Sequence, residues 1–139
     1  MASVQNLFRA LKKRLPMEEL REARVVADFG LERCAHAQPE GKRQVLLVDR
    51  ETLEAMEHRP GILWENITTD GLNVNSLEIG QVLRIGEVRL EVSAVCTPCD
   101  QMERIRRGLR RELWGRRGML CRVLDGGIIR VGDPIEKIA

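Results

Sequence analysis

From Ile62 to the end of the chain, apolar segments of a few residues are cut by turn residues at close intervals. Asp70-Gly71, Gly80, Gly86-Glu87 and Asp125-Gly126-Gly127 punctuate runs rich in Val, Leu and Ile. Spacing this tight favours short strands in a barrel or sandwich over alternating βα units. Residues 82–85 and 88–92 flank Gly86-Glu87, and the second arm alternates with period two, so a hairpin is expected there. Residues 119–124 and 128–131 around Asp125-Gly126-Gly127 give a second hairpin signal. The core of such a sheet has to be aliphatic. Hydrophobic residues make up 43% but aromatics only 3%, with no Tyr, so Val, Ile and Leu must fill it. At 139 residues the chain is read as one domain, 1–139, mainly β with a few short helices.

The N-terminal half is less uniform. Val4, Leu7, Phe8, Leu11 and Leu15 recur at helical spacing up to Pro16, and local pattern prefers a helix over residues 4–15. A strand over residues 4–10, followed by Lys12-Lys13-Arg14 as a solvated tail, is the rival. Residues 23–29 form a short apolar stretch closed by Gly30, and residues 34–43 read as a loop. Residues 44–48 are a continuous apolar run after Gln44, as in a strand buried on both faces. Asp49 is placed to cap a brief helix over residues 50–58, ended by Pro60-Gly61. Residues 100–114 are helix-like and interrupted at Gly108.

Charge narrows the partners. The 23 Lys and Arg against 21 acids leave a formal charge of +2. Gripping a polyphosphate chain calls for a larger excess, so nucleic-acid binding is not expected. No apolar run approaches the roughly 18–20 residues of a membrane span. The N-terminus lacks the charged start and apolar stretch of a secretory signal, so a cytoplasmic location is expected. In that setting the four cysteines read as free thiols, metal ligands or redox groups.

Cys96-Thr97-Pro98-Cys99 lies between a strand ending near Val95 and a helix-like stretch opening at Asp100. Pro98 restricts the turn. A thiol just before a helix faces unsatisfied N–H groups that favour the thiolate, which makes Cys99 the candidate nucleophile or soft-metal ligand. Both cysteines as buried small hydrophobes is the plainer alternative. A redox pair would need a βαβ context that the hairpin-like flanks do not suggest. A zinc site would need Cys34 and His36 as further ligands, although C-x-H with C-x-x-C is not a usual zinc spacing. Cys121, inside an apolar stretch, reads as core. Among Arg104, Arg106, Arg107, Arg110, Arg111, Arg116 and Arg117, most read as a solvated face; Arg116 and Arg117, at a turn before Gly118, are the candidates for phosphate recognition.

Taken in order, several segments resemble the MOSC domain, named after the C-terminal domain of molybdenum cofactor sulfurases. They are Pro60-Gly61-Ile62-Leu63-Trp64-Glu65-Asn66-Ile67, Gly71-Leu72, the stretch 77–86, Thr97-Pro98-Cys99, Gly115-Arg116-Arg117-Gly118 and the stretch 126–133. Pro16-Met17, Gly30-Leu31-Glu32, His36-Ala37 and Gln44-Val45-Leu46-Leu47 extend the likeness over most of the chain from residue 16. The resemblance implies a small stand-alone, bacterial-type member with a β-barrel akin to the pyruvate kinase barrel domain, and a strand at residues 4–10. It implies molybdenum-cofactor (molybdopterin) chemistry, with Cys99 as metal ligand or sulfur carrier, His36 and Asn66 lining the pocket, and Arg116 and Arg117 on cofactor phosphate. Reduction of N-hydroxylated compounds follows for some members. A cysteine desulfurase, a molybdoenzyme or an electron-donor protein would be the partner, and a non-catalytic docking role is the alternative. One departure stands out: family members often read Gly-Asp where this chain has Arg33-Cys34, which removes a carboxylate and a flexible backbone position.

Overall fold

The computed structural model describes residues 1–138; Ala139, the end of the expected 1–139 unit, lies outside the described residues. The first segment is a strand, β1 (Ser3–Arg9), as the resemblance implied and against the helical spacing. The cause lies in its pairing. β1 is hydrogen-bonded to β2 (Glu18–Leu20) on one side and to β6 (Ile67–Asp70) on the other, and its register to β6 shifts between Val4 and Asn6. That bulge lets Val4 and Leu7, three residues apart, both enter the inner core, so a strand irregularity imitates helical periodicity. The rest of the apparent stripe, Leu11 and Leu15, is 63% and 50% exposed.

The remaining strands are β3 (Glu22–Val26), β4 (Gly30–Leu31), β5 (Val45–Asp49), β7 (Val82–Ile85), β8 (Val88–Val95), β9 (Met119–Asp125), β10 (Gly127–Arg130) and β11 (Glu136–Lys137). Among the described residues they form an eight-stranded sheet, β11-β7-β8-β9-β5-β6-β1-β2, and a three-stranded one, β10-β3-β4. The chain from Gly132 to β11 ties the ends of the large sheet together. Val4 N–H donates to Asp133 C=O (2.9 Å), Gly132 N–H to Val4 C=O (2.8 Å) and Ile135 N–H to Ala2 C=O (2.9 Å) before β11 joins β7. The sheet therefore curls back on itself as a barrel-like body, mainly β with short helices.

The β7–β8 hairpin forms around Gly86-Glu87, with Leu83 opposite Leu90 and Ile85 opposite Val88. The second expected hairpin does not. Only Gly126 separates β9 from β10, too few residues for a two-residue hairpin turn, and β10 crosses to pair with β3. Gly126 makes that crossing beneath β3, where a Cβ would lie 2.5 Å from the Val25 carbonyl.

β5 is buried at every residue, as its continuous apolar run foretold. Val45 and Leu47 point into the barrel core, while Leu46 and Val48 join a second cluster on the outer face. That cluster is covered by α1 (Arg50–Ala55), α2 (Gln101–Ile105) and α3 (Leu109–Glu112), through Leu53, Met102, Leu109 and Leu113. The Asp49 carboxylate caps α1 by accepting from Thr52 N–H (3.3 Å). Gly108 breaks the predicted helical stretch in two at φ 86°. No helix among the described residues is long and apolar enough to cross a membrane.

Candidate functional site

A cavity of about 360 Å³ opens over the outer face of the β5–β9 pair. Its apolar floor is Leu46, Leu120 and Met102, and five loop segments converge on it, four of which carry the candidate residues. The size falls within the usual range for small-molecule sites.

The first segment carries Cys96 and Cys99, both lining the cavity. Cys96 is buried, and its N–H donates to the Gly118 carbonyl (3.1 Å); Cys99 is exposed, and its carbonyl accepts from Met102 N–H (3.0 Å), which ties the turn to the start of α2. The two thiols of the C-x-x-C are thus unequal, one shielded and one accessible. Cys121 lies in the core, where burial pushes its thiol up to about 12. All four cysteines are free.

The second segment is the 34–44 loop. Ala35 N–H donates to Ala10 C=O (2.7 Å) and Gln38 N–H to Phe29 C=O (3.0 Å), which fixes the half-buried His36 at the cavity. Burial first, then the charges of Lys13 and Arg117, hold His36 below the usual histidine range. Gln44 anchors the far end, with its amide donating to Asp28 (3.0 Å) and to the Gln38 carbonyl (3.1 Å) while its oxygen accepts from Val123 N–H (2.9 Å). Sequence reading gave Gln44 no such role.

The third is the turn Trp64-Glu65-Asn66. Glu65 is fully buried and accepts from Gly61 N–H (2.8 Å), Leu63 N–H (3.3 Å) and the Thr68 hydroxyl (2.8 Å). It organises a turn in which Trp64 takes φ 59°, uncommon for a bulky residue. Asn66 lines the cavity, but its carboxamide is engaged by the protein: Oδ1 accepts from Leu46 N–H (3.0 Å), and Nδ2 donates to Phe8 C=O (3.2 Å) and to Cys34 Sγ (3.4 Å).

The fourth carries Arg117. Gly118 brings the start of β9 so close to β5 that a Cβ there would sit 2.4 Å from the Leu47 carbonyl, at φ 116°. This draws Arg117 inward until it is only 6% exposed. NH2 donates to the Leu63 carbonyl (2.7 Å), whereas Nε and NH1 are buried without a partner. A buried guanidinium with two idle donors is costly unless an acceptor arrives. Arg116, its neighbour, does not join the cavity: it is exposed, and its guanidinium donates to Glu112 C=O (2.7 and 3.1 Å). The other arginines of the run are largely solvated, with Arg106 paired to Glu112 and Arg110 to Asp100.

Cys34 also stays out of the cavity; it is 6% exposed and accepts from Ala10 N–H (3.4 Å) and from Asn66. The candidate zinc set Cys34, His36, Cys96 and Cys99 is therefore not assembled, and no cluster of three or more His, Cys, Asp or Glu placed to hold a metal ion occurs among the described residues.

No curated protein matches the chain by sequence. Solved structures do match its fold. The YuaD protein from Bacillus subtilis superposes with a TM-score of 0.84 at 20% identity, over 97% of this chain and 94% of that one. YiiM from Geobacillus stearothermophilus gives 0.82 at 18% identity, over 100% and 76%. YiiM from Escherichia coli gives 0.72 at 20% identity, over 99% and 68%. At such identities the likeness speaks to fold alone. The sequence itself matches the family model of the MOSC domain over residues 27–136, and the chain therefore belongs to the MOSC domain family.

Proposed function

We propose that the cavity binds a phosphate-bearing molybdenum cofactor of the molybdopterin type, with the Cys99 thiolate as its protein ligand. One observation carries this reading: an accessible cysteine and a buried arginine with two unpartnered donors share one small cavity. The donor set fits the group. A bare metal ion needs several protein ligands, which are not gathered among the described residues, whereas a metal already chelated by an organic dithiolate needs only one. Arg117 offers Nε and NH1 to a phosphate in a fork geometry. Asn66 and Glu65 hold the wall in shape, and the apolar floor excludes water beneath the ligand. His36, kept neutral near pH 7 by its surroundings, can accept a proton from a group reacting above Cys99. When bound, the cofactor supplies a metal centre able to exchange two electrons together with an oxygen or sulfur atom.

The test is metal and pterin content of the full chain purified from a host that makes the cofactor, beside Cys99→Ala. Molybdenum and pterin in the wild type, with molybdenum lost from the variant, is the expected result. Equal content in both proteins, or none in either, overturns the assignment. A metal-free chain with a Cys99-dependent persulfide would instead favour sulfur relay, the other use of an accessible thiolate here.

A further inference from the structure

Beyond the floor, the mouth of the cavity has a composition of its own. Lys13 and Arg14 come from the loop after β1, and Arg43 from the loop before β5; all three are exposed cavity-lining residues. None of the three has a hydrogen-bond or ion-pair partner among the described residues. No Asp or Glu lines the cavity to neutralise them. Other arginines, Arg21, Arg59, Arg104 and Arg107 among them, also lack an ion pair among the described residues, whereas Arg50 pairs with Asp70, Arg84 with Glu136 and Arg122 with Glu91. What sets these three cations apart is their place: they come from two separate loops to the mouth of one cavity whose lining holds no carboxylate.

Their supports are built. The Trp64 indole N–H donates to the Leu15 carbonyl (3.2 Å), which fastens the loop bearing Lys13 and Arg14 to the cavity wall. The Ser93 hydroxyl donates to the Lys42 carbonyl (2.5 Å), which pins the backbone next to Arg43. Trp64 lines the same cavity, and Gln38 and Gln101 add amide groups beside it. An aromatic surface, hydrogen-bonding amides and an outer ring of cations together match a flat heterocycle that carries a phosphate.

We infer that the molecule entering this cleft to meet Cys99 is a phosphorylated heteroaromatic compound of nucleotide type, its phosphate held at the rim by Lys13, Arg14 and Arg43. This rests on the reading that Arg117, deeper in the cavity, takes the cofactor's own phosphate. The rim then separates two anions, one resident and one arriving, and long-range attraction by unpaired cations would speed the second.

Adenosine 5′-monophosphate and adenosine serve as probes, titrated calorimetrically into the full chain and into the triple variant Lys13→Gln, Arg14→Gln, Arg43→Gln. Each of these side chains is exposed, so the variant should fold as the wild type does. The wild type is expected to bind the monophosphate at least tenfold more tightly than adenosine. The variant should lose most of that preference, keep its adenosine affinity and retain its molybdenum and pterin content. Equal binding of the two probes by the wild type overturns the inference, as does a variant that keeps the preference. A variant that loses pterin also overturns it, since the rim would then be holding the cofactor. A wild type without pterin whose preference still depends on the rim would defeat the cofactor reading alone, so the two failures are separable.

Discussion

Replacing Arg117 by Met should stabilise the ligand-free protein and remove the part of its response to phosphate that the buried guanidinium supplies, leaving only what the rim cations hold. In the wild type, Nε and NH1 are buried without partners, and each such donor forfeits about 1–3 kcal/mol. Against this, Met gives up the charge-assisted bond to the Leu63 carbonyl, about 1.5–3 kcal/mol, while its unbranched side chain follows the path of the arginine stem. The balance favours Met by about 1–2 kcal/mol. For a chain of this length, 1 kcal/mol moves the melting temperature by about 4 °C, so the variant should melt about 4–8 °C higher in phosphate-free buffer. Phosphate at a hundredfold excess over its Kd for the Arg117 site adds about 2.7 kcal/mol that a variant lacking that site does not gain. The wild type should therefore overtake the variant as phosphate is raised, and scanning calorimetry across a phosphate series would show the two curves crossing. A variant less stable at every phosphate concentration, beside a wild type indifferent to phosphate, would show that Arg117 serves packing alone.

Four further outcomes are expected. A disulfide-exchange reagent should titrate one fast thiol in the native protein, none in Cys99→Ser, and all four in denaturant; a second fast thiol in the wild type would contradict the burial of Cys34, Cys96 and Cys121. His36 should titrate below its usual value of about 6.5, so its contribution to stability is complete above that pH and is lost as the pH falls through the lowered value. Phosphate bound at Arg117 should raise that value in an NMR titration, and an unmoved His36 would place the anion elsewhere. Glu65→Ala strands three donors, two of them buried, and should lose about 3 kcal/mol or more in urea denaturation; a loss under 1 kcal/mol would count against its organising role. Cys34→Ala should cost about 1–2 kcal/mol and leave the Cys99 labelling rate unchanged, whereas a slowed Cys99 would link the two thiols.

What could be read in the sequence was whatever local pattern alone decides. The unbroken apolar run of β5, the Asp49 cap, the β7–β8 turn and the break at Gly108 all depend on neighbours within a few residues. The misleading segments depended on remote partners. The spacing of Val4 and Leu7 imitates a helix because a bulge against β6 turns both inward, and the glycines after Asp125 carry the chain from one sheet to the other instead of reversing it. The site divides along the same line. Cys99 was visible from its motif, and Arg117 from its place before Gly118, but nothing local distinguishes Arg117 from Arg116; the close approach of Gly118 to β5 does. Lys13 and Arg14 looked like a solvated tail, and they are indeed exposed. Their place at the cavity mouth depends on a bond to the neighbouring Leu15 carbonyl from Trp64, 49 residues further along the chain.

Arg33-Cys34, the departure from the Gly-Asp that family members often carry, can be followed residue by residue. Arg33 takes φ 60°, the left-handed conformation that a glycine adopts freely, so the backbone path survives the change of residue at a modest cost in strain. Two donors, Ala10 N–H and Asn66 Nδ2, converge on the sulfur of Cys34, which marks the position as one that requires an acceptor. A carboxylate would meet that requirement more strongly; a thiol meets it weakly, but it is small and apolar enough for a position 6% exposed. Asn66 keeps its orientation in either case, because Leu46 N–H and the Phe8 carbonyl hold the other side of its amide. The substitution therefore falls behind the cavity wall. Its consequence is for the rigidity of that wall, while the groups that line the cavity, Cys99, His36 and Arg117, are positioned by other bonds.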